Sequence, residues 1–171
     1  MQDFRRRSAG NGATTQNQGP CPFCGAMVEH GAQACLQLLA GLSERTRAEK
    51  PYAQAHLFSF DAHALQHPEL HGPLNNHVHL LSLCLMLERG ASAGIGSRQP
   101  AVEKFLALGR QWPPIEAPPA GRRGTLTVKN VFEASVAERP RLAREWAGEV
   151  WKLWQPHHPW IRRMLDRLSH E

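Results

Sequence analysis

No stretch of this 171-residue chain is apolar for long enough to cross a bilayer. The richest run, Leu80 to Leu87, is interrupted by Ser82 and closed by Glu88, whereas a spanning helix needs about 20 apolar residues. A soluble protein with no membrane partner is expected. The amino end also lacks the hydrophobic segment of a leader. Behind Arg5, Arg6 and Arg7, the stretch from Ser8 to Gly19 is mostly Gly, Asn, Thr and Gln, so no secretory or twin-arginine signal is read there and the expected location is cytoplasmic. Repeats of fixed period are missing, which excludes a solenoid. Tyrosine is nearly missing too: Tyr52 stands alone, which weighs against a surface that stacks single-stranded bases. No motif in the chain fixes a reaction.

What is present suits one folded domain. Hydrophobic residues make up 42% and charged residues 20%, within the globular range, and a chain of this length buries enough surface to fold alone. The formal charge is +5, and Arg5, Arg6 and Arg7 against Asp3 supply part of it from the amino end. The folded part is therefore only mildly basic, and anionic partners are allowed without being demanded. Residues 1–20 read as a disordered basic tail and 21–171 as a single helical domain, with a Pro- and Gly-rich connection at about 110–125.

Helical periodicity follows Cys35, Leu38, Leu39 and Leu42, then Ala55, Phe58, Ala62 and Leu65 up to His67-Pro68, where the residue before proline leaves the helical region. A third helix, from about Leu74 to Glu88, is apolar almost all round and predicts the centre of the core. A short helix is expected over Pro100 to Leu108. Thr125 to Val128 is β-prone but has no partner and is read as extended. Pro140 opens a helix with Trp146, Val150 and Trp154 on one stripe, and a last amphipathic segment carries Trp160 to Leu168. The fold class expected is all-α, a bundle of five or six helices with a zinc-knuckle-like loop at its amino end.

Cys21-x2-Cys24-x5-His30-x4-Cys35 gathers three thiols and an imidazole within fifteen residues. A two-residue gap lets both thiolates of a tight turn reach one ion, and soft or borderline donors of this kind suit zinc. The expected metal ligands are Cys21, Cys24, His30 and Cys35, with His56 as an alternative fourth donor, and the expected cofactor is a structural zinc ion. Two disulfides are disfavoured by the absence of a leader and by the close spacing of the first pair. A thioredoxin-like role for Cys21 and Cys24 is set aside because the chain has no βαβ pattern. Cys84, in an apolar helix, reads as core.

Six of the ten histidines fall between His56 and His79. His67 ends one helix and His79 lies near the start of the next, so a short connection predicts that they meet, and His157 or His158 is expected to join them from the far end of the sequence. Imidazoles from different helices with a carboxylate such as Asp61 are what a metal site in a bundle needs. His67, His79, His157 and His158 are thus the candidate catalytic residues, and hydrogen-bonding or helix-capping roles are the rival reading for them.

Four segments taken jointly, Cys21-Pro22-x-Cys24-Gly25, Asp61-x4-Gln66-His67-Pro68, His79-Leu80 running into Leu87-Glu88-Arg89-Gly90, and Trp146-Ala147-x2-Val150-Trp151-x2-Trp154-x2-His157-His158, carry a resemblance. The chain resembles an uncharacterised family of small bacterial proteins, a domain of unknown function, from about Cys21 to Leu165. The resemblance implies no activity. It marks Cys21, Cys24, Cys35, His56, Asp61, His67, His79, His157 and His158 as motif positions, and His63 stands where that pattern often has an aromatic residue.

Two functions of different classes follow from the residues. One is a cytoplasmic zinc-binding protein whose cysteine site is structural and whose role is interaction or regulation, with a protein partner. The other is a metal-dependent hydrolase or transferase using the histidine-rich site in the bundle. Nucleic-acid binding through the knuckle and the arginines is a third reading, and it expects a steep loss of affinity with salt.

Overall fold

The computed structural model describes residues 18–48, 53–90, 95–108, 112–121 and 123–170. It opens with a small antiparallel hairpin, β1 (Gln18–Pro20) and β2 (Met27–Glu29), in which Gln18 faces Glu29, Gly19 faces Val28 and Pro20 faces Met27. Of the tail expected over residues 1–20, residues 1–17 lie outside the described residues and Gln18–Pro20 form β1, so regular structure precedes Cys21. Among the described residues seven α-helices follow: α1 (Ala32–Ala48), α2 (Ala53–Gln66), α3 (Pro73–Glu88), α4 (Ile95–Ala107), α5 (Val128–Glu133), α6 (Arg139–Leu153) and α7 (His158–His170). Single 3-10 turns, Pro68–Leu70 and Gln155–His157, lead into α3 and α7.

The molecule is all-α apart from the hairpin. The described residues hold one helix more than the five or six expected, and the extra one is α5. The β-prone run lies outside the helices through Thr127, whose backbone is extended, and only Val128 enters α5; the Asn130 carboxamide oxygen reaches back to accept from both the backbone N–H and the hydroxyl of Thr127, 2.9 Å each, and side-chain bonding of this type starts a helix. The preceding N–H groups of Thr125 and Leu126 are taken by the Glu149 carboxylate of α6.

α2 lies at the middle of the packing, most extensively against α6, with α3 and α1 on its other sides. The apolar character of α3 is explained by its burial: Leu80, Leu81, Leu83 and Cys84 are fully enclosed. Trp146 and Trp154 are enclosed as well, and the Trp154 indole N–H donates to the Leu65 carbonyl of α2. The tryptophan stripe is therefore core, and it fixes where α2 ends relative to α6. Among the described residues no helix is long and apolar enough to cross a membrane.

Candidate metal centre

The turn between β1 and β2 is closed by backbone bonds from Cys21 N–H to the Ala26 carbonyl, 2.8 Å, and from Gly25 N–H to the Cys21 carbonyl, 2.9 Å. Gly25 has φ +76, a left-handed conformation that favours glycine, and this lets Cys21 and Cys24 face the same side. After β2 the chain reverses through His30 and Gly31, both left-handed at φ 65 and φ 59. Cys35 then sits in the first turn of α1, its N–H bonded to the Gly31 carbonyl.

The fourth member comes from α2. Proline at position 68 ends that helix at Gln66, and His67 follows with its backbone N–H still on the His63 and Ala64 carbonyls. Its ring Nδ1 lies 2.8 Å from the His63 carbonyl. A carbonyl only accepts, so Nδ1 carries the hydrogen and Nε2 keeps its lone pair. That Nε2 is 3.5 Å from Cys21 Sγ. Cys24 Sγ and Cys35 Sγ are 3.8 Å apart. Each of the four residues offers one donor atom, these atoms lie within 4.8 Å of one another, and all four residues are buried. Such a set is able to hold a metal ion.

Proximity polarises the thiols. Cys24 is pulled down to about 4, first by its hydrogen bond with Cys35 and further by His67, while the same contact and burial push the Cys35 thiol up. Burial also raises Cys21. Three buried thiols beside one another thus favour a single thiolate, and a cation is what stabilises three.

The centre is enclosed by the long connection after α4. Gly121 N–H donates to the Phe23 carbonyl inside the cysteine turn, 2.9 Å, and the Phe23 ring meets the His67 ring edge-on. Arg123, 2% exposed, donates to the Gln66 carbonyl at 2.9 Å, to the Pro118 carbonyl and to the Glu69 carboxylate. Gln66 answers by donating its carboxamide to the Arg123 and Leu126 carbonyls. These bonds fasten the residues on either side of His67.

The imidazole that the structure brings to the three thiols is that of His67 and not that of His30. The left-handed turn carries His30 to the surface, where it lines an open groove with Met27, Leu38 and Phe132. Nor is it His56, which stands near Phe60, eleven residues or about 16 Å up α2. The four histidines expected to share a catalytic site occupy separate settings. His67 faces the cysteines. His79 donates Nδ1 to the buried Asp61 carboxylate, 2.8 Å. His157 bonds the Glu116 carbonyl of the connection, and His158 bonds the Trp151 carbonyl and stacks on the Trp151 ring. Cys84 is buried against Glu88, away from the cluster. Arg123 escaped notice in the sequence, and its only signal there was a cation inside a stretch rich in Pro and Gly.

A family model matches residues 19–155, a span that contains the cysteine turn, α2 and α6. The chain belongs to the family of unknown function DUF5946. No curated protein and no solved structure matches it. The span matched to DUF5946 includes all four donors of the centre and stops short of α7.

Proposed function

We propose that the protein binds one structural zinc ion through Cys21, Cys24, Cys35 and His67, and that it works in the cytoplasm as an interaction or regulatory protein. One observation carries the zinc reading. With metal–sulfur bonds of about 2.3 Å and metal–nitrogen bonds of about 2.0 Å, the edges of a tetrahedron are about 3.8 Å between sulfurs and about 3.5 Å between sulfur and nitrogen. The separations here are 3.8 Å for Cys24 and Cys35 and 3.5 Å for Cys21 and His67. Four protein donors fill a tetrahedron, so this centre leaves no position for a substrate and its work is to join the hairpin and α1 to the end of α2. A hydrolase or transferase reading gains nothing from it.

Elemental analysis of purified protein, together with cobalt substitution, tests the assignment. The expected result is tightly held zinc that cobalt replaces with an intense sulfur-to-metal absorption, lost in Cys21→Ser and in His67→Gln. A folded protein that retains no zinc and gives no such absorption overturns it.

A further inference from the structure

A polar cavity of about 400 Å³ adjoins the cysteine centre. Its walls are Thr125 and Thr127 before α5, Lys129, Asn130 and Glu133 on α5, and part of the cysteine turn; they include Cys24 but neither Cys21 nor Cys35. Gly121 lines it too, with open space where a side chain would stand. Cys24 is 3% exposed, so a molecule that reaches it must be small. Inside the centre, Cys24 Sγ lies 3.8 Å from Cys35 Sγ. A disulfide bond is about 2.05 Å long, which leaves the two sulfurs about 1.8 Å to close. Cys21 has a different neighbour, His67 Nε2 at 3.5 Å.

We propose that Cys24 is an oxidation site for a small hydroperoxide and that a disulfide formed with Cys35 opens the centre, a proposal that rests on the zinc reading above. Walls of hydroxyl, amide and charged groups suit hydrogen peroxide, which is little larger than water and both donates and accepts hydrogen bonds. The Cys24 thiolate attacks one peroxide oxygen: the S–O bond forms as the O–O bond breaks, and the departing hydroxide takes a proton from solvent to become water. The Cys35 thiolate then attacks the Cys24 sulfur, the S–S bond forms as the S–O bond breaks, and the second hydroxide takes a second proton. Two thiolates lose two electrons, and one peroxide becomes two waters. Cys21 and His67 remain, too few donors to hold zinc in a tetrahedron. The new bond keeps the hairpin on α1, while the tie through the metal to the end of α2 is lost.

The test treats the zinc-loaded full chain with hydrogen peroxide while a chromophoric indicator follows released zinc, and mass spectrometry maps the thiols. One zinc per chain should leave as two thiols disappear, the product should carry a Cys24–Cys35 disulfide, and dithiothreitol with added zinc should restore the starting state. Dimedone present during the reaction should mark the first sulfenic acid at Cys24. Protein that holds no zinc before peroxide is added overturns the zinc reading and this proposal together. Zinc that stays bound at a peroxide dose that oxidises free cysteine overturns this proposal alone, as does a first mark on Cys21 or Cys35, or a disulfide that includes Cys21.

Discussion

His67 divides its two ring nitrogens between a helix and a metal centre. Nδ1 is spent on the His63 carbonyl and Nε2 is left for the cysteines, so the ring's orientation is set by backbone before any ion arrives. His67→Gln should lower zinc affinity about a hundredfold or more, one ligand's share of the roughly 10–16 kcal/mol typical of structural zinc. His30→Gln should leave affinity unchanged, and competition with a chromophoric chelator measures both. Cys84→Ser offers a contrast, costing about 1–3 kcal/mol in thermal or denaturant melts that added zinc does not alter. The clustering of the three thiols was legible because Cys21, Cys24 and Cys35 lie within one turn and the helix it leads into. His67 was not legible as their partner, since 46 residues separate it from Cys21 and only the packing of α2 brings them together.

Another residue-scale expectation concerns acid. The Glu88 carboxylate is held down to about 2, first by two hydrogen bonds from Arg162 and then by the Trp151 indole. Its native form binds a proton less readily than its unfolded form, so its contribution to stability is complete above the ordinary value of 4.5 and is lost as pH falls toward about 2. Glu88→Gln should therefore flatten the acid limb of the stability curve over that window. Comparing urea melts of the two proteins at matched pH and zinc isolates this group, and an unchanged limb would count against it.

At the scale of elements, the end of α2 is held from both sides. Arg123 satisfies the carbonyl of Gln66 while Gln66 satisfies the carbonyl of Arg123, and this reciprocal pair locks the connection to the helix just before His67. Arg123→Met should cost about 3 kcal/mol, because it strands buried carbonyls of both segments. Arg123→Lys should not rescue, as a single ammonium cannot meet acceptors spread around a planar fork. Zinc affinity should fall in both variants, which a purely local destabilisation would not produce. The helices over Ala53–Gln66 and Pro73–Glu88 were readable from periodicity and proline. α5 was not, because the side chain that starts it, Asn130, acts on Thr127 against a β-prone composition.

Across the whole molecule, the zinc assignment predicts that the hairpin end and the α6–α7 end of the described residues depend on the metal unequally. The hairpin and the start of α1 have little core of their own beyond the cysteines, Ala26 and Val28, whereas α6 and α7 pack through Trp146, Trp154, Ile161 and Leu165. Chelation should raise amide exchange across β1, β2, the first turns of α1 and the end of α2, and leave the protected amides of α6 nearly unchanged. Exchange monitored by mass spectrometry before and after chelator checks this, and uniform deprotection would show that the centre supports the entire bundle. The all-α class was legible from the spacing of apolar residues. The assembly of the histidines was not, because hydrogen bonds to carbonyls at Glu116 and Trp151 carry His157 and His158 elsewhere.

Every donor of the cysteine centre lies between residues 21 and 67, ahead of Arg123 and ahead of α6, the main neighbour of α2. A ribosome therefore exposes the complete ligand set while the helix that will cover α2 is still unmade. Ion capture can then come first, and the direction of translation, rather than the stability of the finished bundle, sets which part of the molecule is fastened before the other.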